Sequence, residues 1–281
     1  MKKLTVKIPA KINLSLDVVG TEGKFHNINT LVSSVNVFDT ITVEKRLDDK
    51  ISLVMKGLPV DCDLPDNNAY KAAKLFVETF SVGGINVTID KKIPVGSGMG
   101  GSSADIAGVL VALNELFEVD MDMGELADKL GSDSRYMLSG GYATLTGRGQ
   151  IITEQFISKQ LYFVIINENK MVSSRACYKK YDELGKTHKP CTPTVVKALL
   201  SGDFEKYASV AKNDLYEPAV SLLGELSHNI YNLKKAGAKV ALMTGSGSAC
   251  YAVFEDKSER DDVYAKLKPL YFNNIIKAQT V

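Results

Sequence analysis

The feature that most constrains this chain is a cluster of glycines and serines between a strand pattern and a helix pattern. Residues 96–103 read GSGMGGSS. The preceding segment INVTIDKKI alternates as a strand does, and the following segment SADIAGVLVALNELF has helical spacing of its apolar residues. A glycine-rich turn from a strand into a helix N-terminus presents backbone N–H groups to an anion. The arrangement therefore predicts a phosphate-binding site.

The glycine cluster also partly matches the glycine-rich motifs of other nucleotide-binding proteins, and it could be a plain connecting turn. Residues 96–101 fit the G-x-G-x-x-G pattern of dinucleotide-binding proteins, but no clear βαβ units flank them. No lysine follows the glycines as in a Walker A loop, and the sequence lacks the H-R-D and D-F-G motifs of protein kinases. A plain connecting turn needs fewer glycines, and it does not need Ser102 and Ser103 at the N-cap position of the helix.

Length and composition restrict the class of protein. The chain has 281 residues, of which 24% are charged and 45% hydrophobic, and its formal net charge is +1. These values are typical of a soluble globular protein with a core, and they predict neither a nucleic-acid partner nor a membrane partner. No apolar run has the length of a membrane span, and the N-terminal MKKLTVKIPAKINL lacks the apolar segment of a signal peptide.

The cysteines favour a reducing compartment. Four of them are scattered along the chain without a C-x-x-C pair: Cys62, Cys177, Cys191 and Cys250. This spacing predicts reduced thiols in a cytoplasmic protein, because both a disulfide framework and a zinc site require closer or more regular spacing.

Strand and helix patterns are mixed along the whole chain and restart near residue 155. The restart predicts an α+β protein of two domains, residues 1–155 and residues 156–281. In the first domain, LTVKIPAKINLSLDVVG and DTITVEKR read as strands and GYATLTGRGQIITEQ as a hairpin. A helix pattern, NNAYKAAKLFVETFS, follows a cap at Asp66 or Asn67. In the second domain, EPAVSLLGELSHNIYNLKKAG reads as a helix, and KVALMTG and ACYAVFE as strands.

Several motifs, in chain order, resemble those of the GHMP small-molecule kinases. PVGSGMGGSSAD resembles the P-x-x-x-G-L-G-S-S-A loop of that family. The other matching segments are PAKINLSLDVVG, KFHNINTLVSSVNVFDTI, DNNAYKAA, LGSDSRYMLSGGYATLTGRG, KNDLYEPA and MTGSGSACYAVF. The resemblance runs nearly end to end. It is greatest for the branch that phosphorylates the 2-hydroxyl of a diphosphocytidyl-linked methylerythritol in non-mevalonate isoprenoid synthesis.

The resemblance implies a fold, cofactors and a substrate. The fold would be the two-domain GHMP kinase fold, with an N-terminal domain like ribosomal protein S5, a C-terminal ferredoxin-like α/β domain and the active site in the cleft between them. The cofactors would be ATP and Mg²⁺, and the substrate a small-molecule alcohol that contains cytidine. Alternatives are a GHMP kinase for an alcohol of the mevalonate, homoserine or sugar type, or a catalytically weak nucleotide-binding relative. A monomer and a homodimer both stay open.

The resemblance also implies a catalytic pair. Asp133 aligns with the family's catalytic aspartate, a base for the alcohol, and Lys11 aligns with its lysine partner. From the residues alone, Lys11 lies inside the apolar strand IPAKINLSL, where a lysine is costly unless it is paired. The alternatives are that Asp133 caps the next turn and that Lys11 points to solvent from an edge strand.

The remaining site residues also follow from the resemblance. ATP would be bound by Asn67 and by the loop residues Pro94, Val95, Gly96, Ser97, Gly98, Met99, Gly100, Gly101, Ser102 and Ser103, and Ser103 would also contact Mg²⁺. The substrate would be bound by Asn13, Phe25, His26, Tyr178, Thr244, Gly245, Ser246 and Gly247. In that set His26 would hydrogen-bond a cytosine that stacks between Phe25 and Tyr178. Asn13 would orient the reacting hydroxyl. The second glycine turn, residues 244–247, would form an anion-binding nest, although a plain hairpin turn also fits its sequence.

Three positions depart from the family pattern. Arg135 stands where the family usually has a proline, and Ser102 stands where the branch usually has a third consecutive glycine. The turn at residues 23–26 is one residue short. These departures bear on the choice of alcohol more than on phosphoryl transfer.

Overall fold

The structure is a computed structural model that describes residues 2–167, 169–185 and 189–281. The chain divides into two compact units, each assembled from several chain segments. The first unit comprises the residues up to Ala10, Val37–Val95 and Gly100–Gly140. The second comprises Lys11–Asn36, Gly96–Met99 and Gly141–Val281. Because strands β1 (Lys3–Glu22) and β2 (Phe25–Lys45) contribute residues to both units, neither unit is continuous in sequence.

The first unit contains a sheet built on the C-terminal part of β2. Strand β4 (Ile85–Lys91) pairs antiparallel with β2, Thr40 opposite Asp90, and parallel with β3 (Ile51–Gly57). The α-helices that the structure describes in this unit are α1 (Asn68–Phe80), α2 (Gly101–Phe117), α3 (Gly124–Leu130) and α4 (Ser134–Ser139). Strand β4 alternates buried and half-buried residues, as expected of a strand with one face against a core.

Helix α2 is the central helix of the first unit. Its buried residues are Ala104, Asp105, Ile106, Ala107, Gly108, Val109, Leu110, Ala112, Leu113 and Leu116. Gly108 allows a close approach to β2, because a Cβ there would lie 2.5 Å from Cδ1 of Ile41. The burial of α2 on most of its sides fixes the helix N-terminus that follows the glycine cluster.

The second unit contains an antiparallel four-stranded sheet in the order β10-β7-β9-β8. The strands are β7 (Tyr162–Ile166), β8 (Val240–Met243), β9 (Cys250–Phe254) and β10 (Ile275–Gln279). With helices between β7 and β8 and between β9 and β10, this order is that of a ferredoxin-like βαββαβ arrangement. The helices are α5 (Ser174–Leu184), α6 (Thr192–Ser201), α7 (Phe204–Val210), α8 (Tyr216–Leu222), α9 (Glu225–Ala236) and α10 (Lys257–Tyr271). The hairpin of β5 (Tyr142–Thr146) and β6 (Ile151–Phe156) also belongs to this unit and pairs with β2 at Thr30–Ser33.

Most of the sequence-based assignments are confirmed, with three corrections. The predicted α+β class, the hairpin at β5 and β6 and the Asn67 cap of α1 are present; the Asn67 side chain accepts a hydrogen bond from Ala69 N. The segment predicted as one helix forms two, α8 and α9, because the chain leaves helical geometry at Leu223. Strand β3 was not predicted, and DTITVEKR is the end of the long strand β2 rather than a separate strand.

The predicted domain boundary at residues 155 and 156 stays a prediction.

Among the described residues, no helix combines the length and the apolar composition that crossing a bilayer requires.

Candidate active site

The glycine cluster forms a turn in which three glycines adopt a backbone conformation that other residues rarely adopt. Gly96, Gly98 and Gly100 have φ angles of +64°, +77° and +78°. These lie in the left-handed region that side chains disfavour. At Gly98 the surroundings add a second constraint, because a Cβ would lie 2.2 Å from the carbonyl oxygen of Thr244. The cluster is therefore a specific backbone conformation rather than a flexible connector.

The turn leads directly into the N-terminus of α2. Gly100 is the N-cap, so the expectation that Ser102 and Ser103 occupy that position is wrong; both lie in the first helical turn. Ala104 N donates the first bond of the helix to Gly100 O at 2.9 Å. The N–H groups of the three residues between them precede the first intrahelical donor and are available to a ligand. Ser102 is exposed and its Oγ accepts a hydrogen bond from Nδ2 of Asn68 at 2.6 Å, while Ser103 is half-buried. This geometry fits a bound phosphate.

Not every predicted residue of the loop offers its side chain. Ser97 and Met99 are buried. Their carbonyl oxygens accept hydrogen bonds from Ala249 N at 3.0 Å and Lys11 N at 2.9 Å. Pro94 is buried and Val95 half-buried, and Asn67 uses its side-chain oxygen to cap α1. Contacts of these residues with a nucleotide stay predictions.

The side chains at the glycine turn fit Mg²⁺ only if most of its ligands are water and phosphate oxygens. Within the described ranges, no group of three or more His, Cys, Asp or Glu side chains could hold a metal ion. Mg²⁺ in phosphate sites keeps several waters and binds phosphate oxygens with one or two protein ligands. A single hydroxyl such as that of Ser103, in the first turn of α2, is compatible with that pattern.

A buried charge cluster that the sequence analysis missed lies next to this turn. Lys91 Nζ donates to Asp39 Oδ2 at 2.5 Å and to Asp105 Oδ2 at 2.8 Å. Burial raises the pKa of Asp105 to about 7. Its Oδ1 has no hydrogen-bond partner within the part of the chain that the structure describes. The sequence pattern could have indicated this cluster, because Lys91 and Asp39 occupy inward-facing positions in strands whose residues alternate in burial.

Lys11 and Asn13 lie together in the second unit. Both are buried, and Lys11 Nζ donates to Asn13 Oδ1 at 2.6 Å. The same oxygen accepts from Thr244 Oγ1 at 3.1 Å and from Gly245 N at 2.9 Å. Asn13 Nδ2 donates to Thr30 Oγ1 at 2.9 Å. The alternative that Lys11 points to solvent is therefore wrong, and Asn13 links Lys11 to the second glycine turn.

Asp133 lies in the first unit, at the N-cap of α4. It is half-buried, and its side chain makes no capping hydrogen bond to the described residues of that helix. Arg135 forms a pair with Asp128, from its Nε at 2.8 Å and from a terminal nitrogen at 2.6 Å. That carboxylate raises the pKa of Arg135 above its ordinary value. Arg135 also lies against Gly124, where a Cβ would be 2.4 Å from its Nη1. Arg135 thus joins α4 to α3.

The predicted base-binding residues are brought together only in part. The rings of His26 and Tyr178 are stacked with centroids 4.7 Å apart, and His26 Nε2 lies 2.7 Å from Asp182 Oδ1. Phe25 is 55% exposed and carries the guanidinium of Arg148 at 4.6 Å from its ring centroid. The sandwich of a base between Phe25 and Tyr178 stays a prediction. Asp182 and Arg148 were missed, because such partners are set by tertiary contacts.

The second glycine turn is well ordered by internal bonds. Gly245 and Gly247 have φ angles of +57° and +94°. Gly245 N donates to Asn13 and Gly247 N donates to Thr244 O at 3.0 Å. Ser246 Oγ bonds Ser174 Oγ at 2.8 Å. Two backbone donors of the predicted anion nest are thus engaged within the protein, and its contact with substrate stays a prediction.

Comparison with known proteins gives consistent matches along nearly the whole chain. The family described as "GHMP kinases N terminal domain" matches residues 67–143, and "GHMP kinases C terminal" matches residues 195–273. A 4-diphosphocytidyl-2-C-methyl-D-erythritol kinase of Thermoanaerobacter pseudethanolicus is 34% identical over 280 residues, covering 96% of this chain and 94% of the relative.

Solved structures agree. A crystal structure of 4-(cytidine 5'-diphospho)-2C-methyl-D-erythritol kinase superposes with a TM-score of 0.82 at 27% identity, covering 98% of both chains. L. major mevalonate kinase superposes with a TM-score of 0.75 at 16% identity, over 99% of this chain and 96% of that one, which shows the shared fold alone. These matches confirm the predicted two-domain fold.

Proposed function

This chain belongs to the GHMP kinase family, and we propose that it transfers the γ-phosphate of ATP to the 2-hydroxyl of 4-diphosphocytidyl-2-C-methyl-D-erythritol. The observation that carries the proposal is the turn from β4 into α2, with glycines at positive φ and N–H groups available in the first helical turn. The kinases that this chain matches over nearly its full length bear the name of that substrate.

Phosphoryl transfer depends on positioning and on charge stabilisation. When bound, ATP with Mg²⁺ supplies the phosphoryl group and neutralises its charge. The backbone N–H groups of the glycine turn and the first turn of α2 bind the phosphates, and the Ser103 hydroxyl contacts the ion. Backbone N–H groups suit an anion without the need for further ionised side chains.

Asp133 and Lys11 carry the catalytic roles in this proposal. Asp133 accepts the proton of the alcohol hydroxyl, and Lys11 favours the ionised state of the reacting groups. Asn13 orients the reacting hydroxyl through the amide N–H that does not bond to Thr30. Its side-chain oxygen is not used for this, because it already accepts three hydrogen bonds. Phe25, His26 and Tyr178 bind the cytosine. The scattered spacing of the four cysteines fits action in the reducing cytoplasm.

The test is an activity panel. The protein is incubated with ATP, Mg²⁺ and one alcohol at a time: 4-diphosphocytidyl-2-C-methyl-D-erythritol, mevalonate, homoserine or galactose. Product is followed by ³¹P NMR and by ADP release. We expect a new phosphate monoester only with the diphosphocytidyl alcohol. Phosphorylation of another alcohol in preference would overturn the substrate assignment, and ATP binding without transfer to any of them would indicate a weak nucleotide-binding relative.

The weak nucleotide-binding alternative is suggested by Arg135, which stands two residues after Asp133 where the family usually has a proline. The contacts of Arg135 give no support to that alternative. Instead, the guanidinium is bound by Asp128 of α3 and packed against Gly124. The side chain therefore serves the packing of α4 in this chain, where the family usually has a proline.

A further inference from the structure

Three charged side chains form a buried cluster at the base of the glycine turn. Asp39, Lys91 and Asp105 are 0%, 3% and 7% exposed. They come from β2, from the last position of β4 and from the second turn of α2. Nothing in the proposed chemistry uses them, since none belongs to the predicted nucleotide or alcohol contacts.

Asp39 holds the chain where it leaves β4 for the turn. Its Oδ1 accepts hydrogen bonds from the backbone N–H groups of Lys92 at 2.6 Å and Ile93 at 2.9 Å. Strand pairing has ended there, so these two donors would otherwise lack a partner from the sheet ladder. The first end of the turn is thereby tied to β2.

Lys91 holds the other end of the turn. Its three donors go to Asp39 Oδ2, to Asp105 Oδ2 and to the carbonyl oxygen of Gly101 at 3.3 Å. Gly101 is the first residue of α2, and a Cβ there would lie 3.2 Å from Lys91 Nζ. One ammonium group thus connects the end of β4 to the first and second turns of the helix.

We propose that Asp39, Lys91 and Asp105, called here the charged clamp, are positioning residues for ATP that fix both ends of the glycine turn. The inference rests on the proposed function, because it assumes that this turn binds the phosphates. Through the clamp, the N–H groups of the first turn of α2 keep one direction relative to β4. A loosened turn would present the same donors in several arrangements. ATP binding would then be weaker, because conformational entropy would be lost in ordering these donors.

Stability alone does not account for the clamp. Replacing a buried ionic cluster by apolar residues of similar volume is often neutral or stabilising for a fold, because taking the charges out of water is costly. Apolar packing, however, does not set the direction of a backbone carbonyl or N–H group as a hydrogen bond does. A variant that keeps the fold but loses these directed bonds therefore separates a role in stability from a role in orienting the turn.

The main test is the triple variant Asp39→Asn/Lys91→Met/Asp105→Leu. It has no charge at these three positions, and the amide at position 39 keeps an oxygen for the N–H groups of Lys92 and Ile93. Its thermal stability is measured, then its affinity for ATP by calorimetry without alcohol, and the KM values for ATP and for the alcohol. We expect a folded protein with the KM for ATP raised roughly tenfold or more and the KM for the alcohol unchanged.

Two further variants keep the test decisive if the triple variant does not fold. Asp105→Asn retains an oxygen for Lys91 and should bind ATP as the wild type does, whereas Asp105→Leu should not. The control for plain destabilisation is Leu116→Ala, a cavity in the same helix about 22 Å from Gly101. It should lose stability and keep its KM for ATP.

Wild-type affinity for ATP in the folded triple variant, or an equal rise in KM in Leu116→Ala, would overturn the clamp's role. Failure of the wild-type protein itself to bind ATP would overturn the proposed function, and the clamp's role with it. The two failures are thus distinguished by the wild-type titration.

Discussion

The ammonium group of Lys11 donates a hydrogen bond to the side-chain oxygen of Asn13 at 2.6 Å. Since that oxygen also accepts from Gly245 N, one amide orients both the proposed catalytic lysine and the second glycine turn. Both side chains are buried, which limits the access of solvent to these bonds. Asn13 is thus a structural link as well as a candidate substrate contact.

Replacing Asn13 should impair turnover more than stability. We expect Asn13→Ala to lower kcat by about 10- to 100-fold, because Lys11 and the turn at Gly245 lose their common acceptor. The control is Thr30→Val, which removes the partner of Asn13 Nδ2 and the hydrogen bond from that hydroxyl to Ser15 O, but leaves the bonds of Lys11 and Gly245 to Asn13 Oδ1 in place. Steady-state kinetics and a thermal melt are compared for the two variants. A kcat near the wild-type value in Asn13→Ala would contradict the link.

Asp133→Asn should retain ATP binding and lose turnover. The expected loss in kcat is about 10²-fold or more, the usual effect of removing a general base. Lys11→Ala should give a similar loss, and the double variant should be little worse than either single one, because residues that act as a unit are not additive.

The matched control for the Asp133 variant is Asp128→Asn in the same unit. It removes a carboxylate that binds Arg135 and has no assigned catalytic role, so it should weaken the fold and spare kcat. Additive losses in the Lys11 and Asp133 double variant, or full activity of Asp133→Asn, would argue against the assignment.

Gly98→Ala should abolish ATP binding for two separable reasons. The left-handed φ of +77° costs about 1–2 kcal/mol for a side chain, and the new Cβ would lie 2.2 Å from Thr244 O. Gly141→Ala carries only the first cost, since its φ is +76° and a Cβ there meets nothing within 4 Å in the described part of the chain.

Calorimetric titration with ATP and a denaturant melt distinguish the two effects. Gly141→Ala should lose about 1–2 kcal/mol of stability and bind ATP normally. Gly98→Ala should lose ATP affinity and more stability than Gly141→Ala, because the displaced turn also disturbs Thr244. Equal ATP affinity in the two variants would count against the turn as the phosphate site.

Much of this site could be predicted from the sequence. The glycine turn was predictable because three positive φ angles leave few residue types, and the cap at Asn67 because its side chain acts on local backbone. The charged clamp was also within reach, since Asp39 and Lys91 occupy the inward register of their strands.

Contacts between distant segments could not be predicted. The pairing of Arg135 with Asp128 depends on how α3 and α4 pack, and the bond of His26 to Asp182 joins residues 156 apart in sequence. The break between α8 and α9 also escaped the apolar spacing, because that spacing continues across Leu223. Tertiary contacts decide each of these.

The cysteines should differ sharply in reactivity. Cys62 is exposed, whereas Cys177, Cys191 and Cys250 are buried. Burial raises the pKa of Cys177 and of Cys191 to about 12, so very little thiolate is present at neutral pH. We expect iodoacetamide at pH 8 to label one thiol in the folded protein and four in urea. Cys62→Ser should abolish the native labelling, and labelling of a buried thiol at the rate of Cys62 would contradict this burial.

The last prediction concerns the base of the alcohol substrate. If Phe25, His26 and Tyr178 bind cytosine, CMP should compete with the alcohol in the absence of the rest of the substrate. Base stacking on an aromatic residue is worth roughly 1–3 kcal/mol, enough for a detectable weak competitor. UMP should compete less well, because its base reverses a donor and an acceptor and leaves polar groups unpaired.

Variants at His26 decide whether this preference comes from the stacked pair that the structure shows. His26 is held by Tyr178 on one face and by Asp182 at Nε2, so its ring presents one remaining nitrogen in a fixed direction. His26→Ala should remove the preference for CMP over UMP, Asp182→Asn should reduce it, and neither should change the affinity for ATP. The control His228→Ala, on the exposed side of α9, should leave the preference intact. A wild-type enzyme that is active yet binds CMP and UMP equally would exclude a cytosine pocket at His26, because a hydrogen-bonded base edge cannot be indifferent to that exchange.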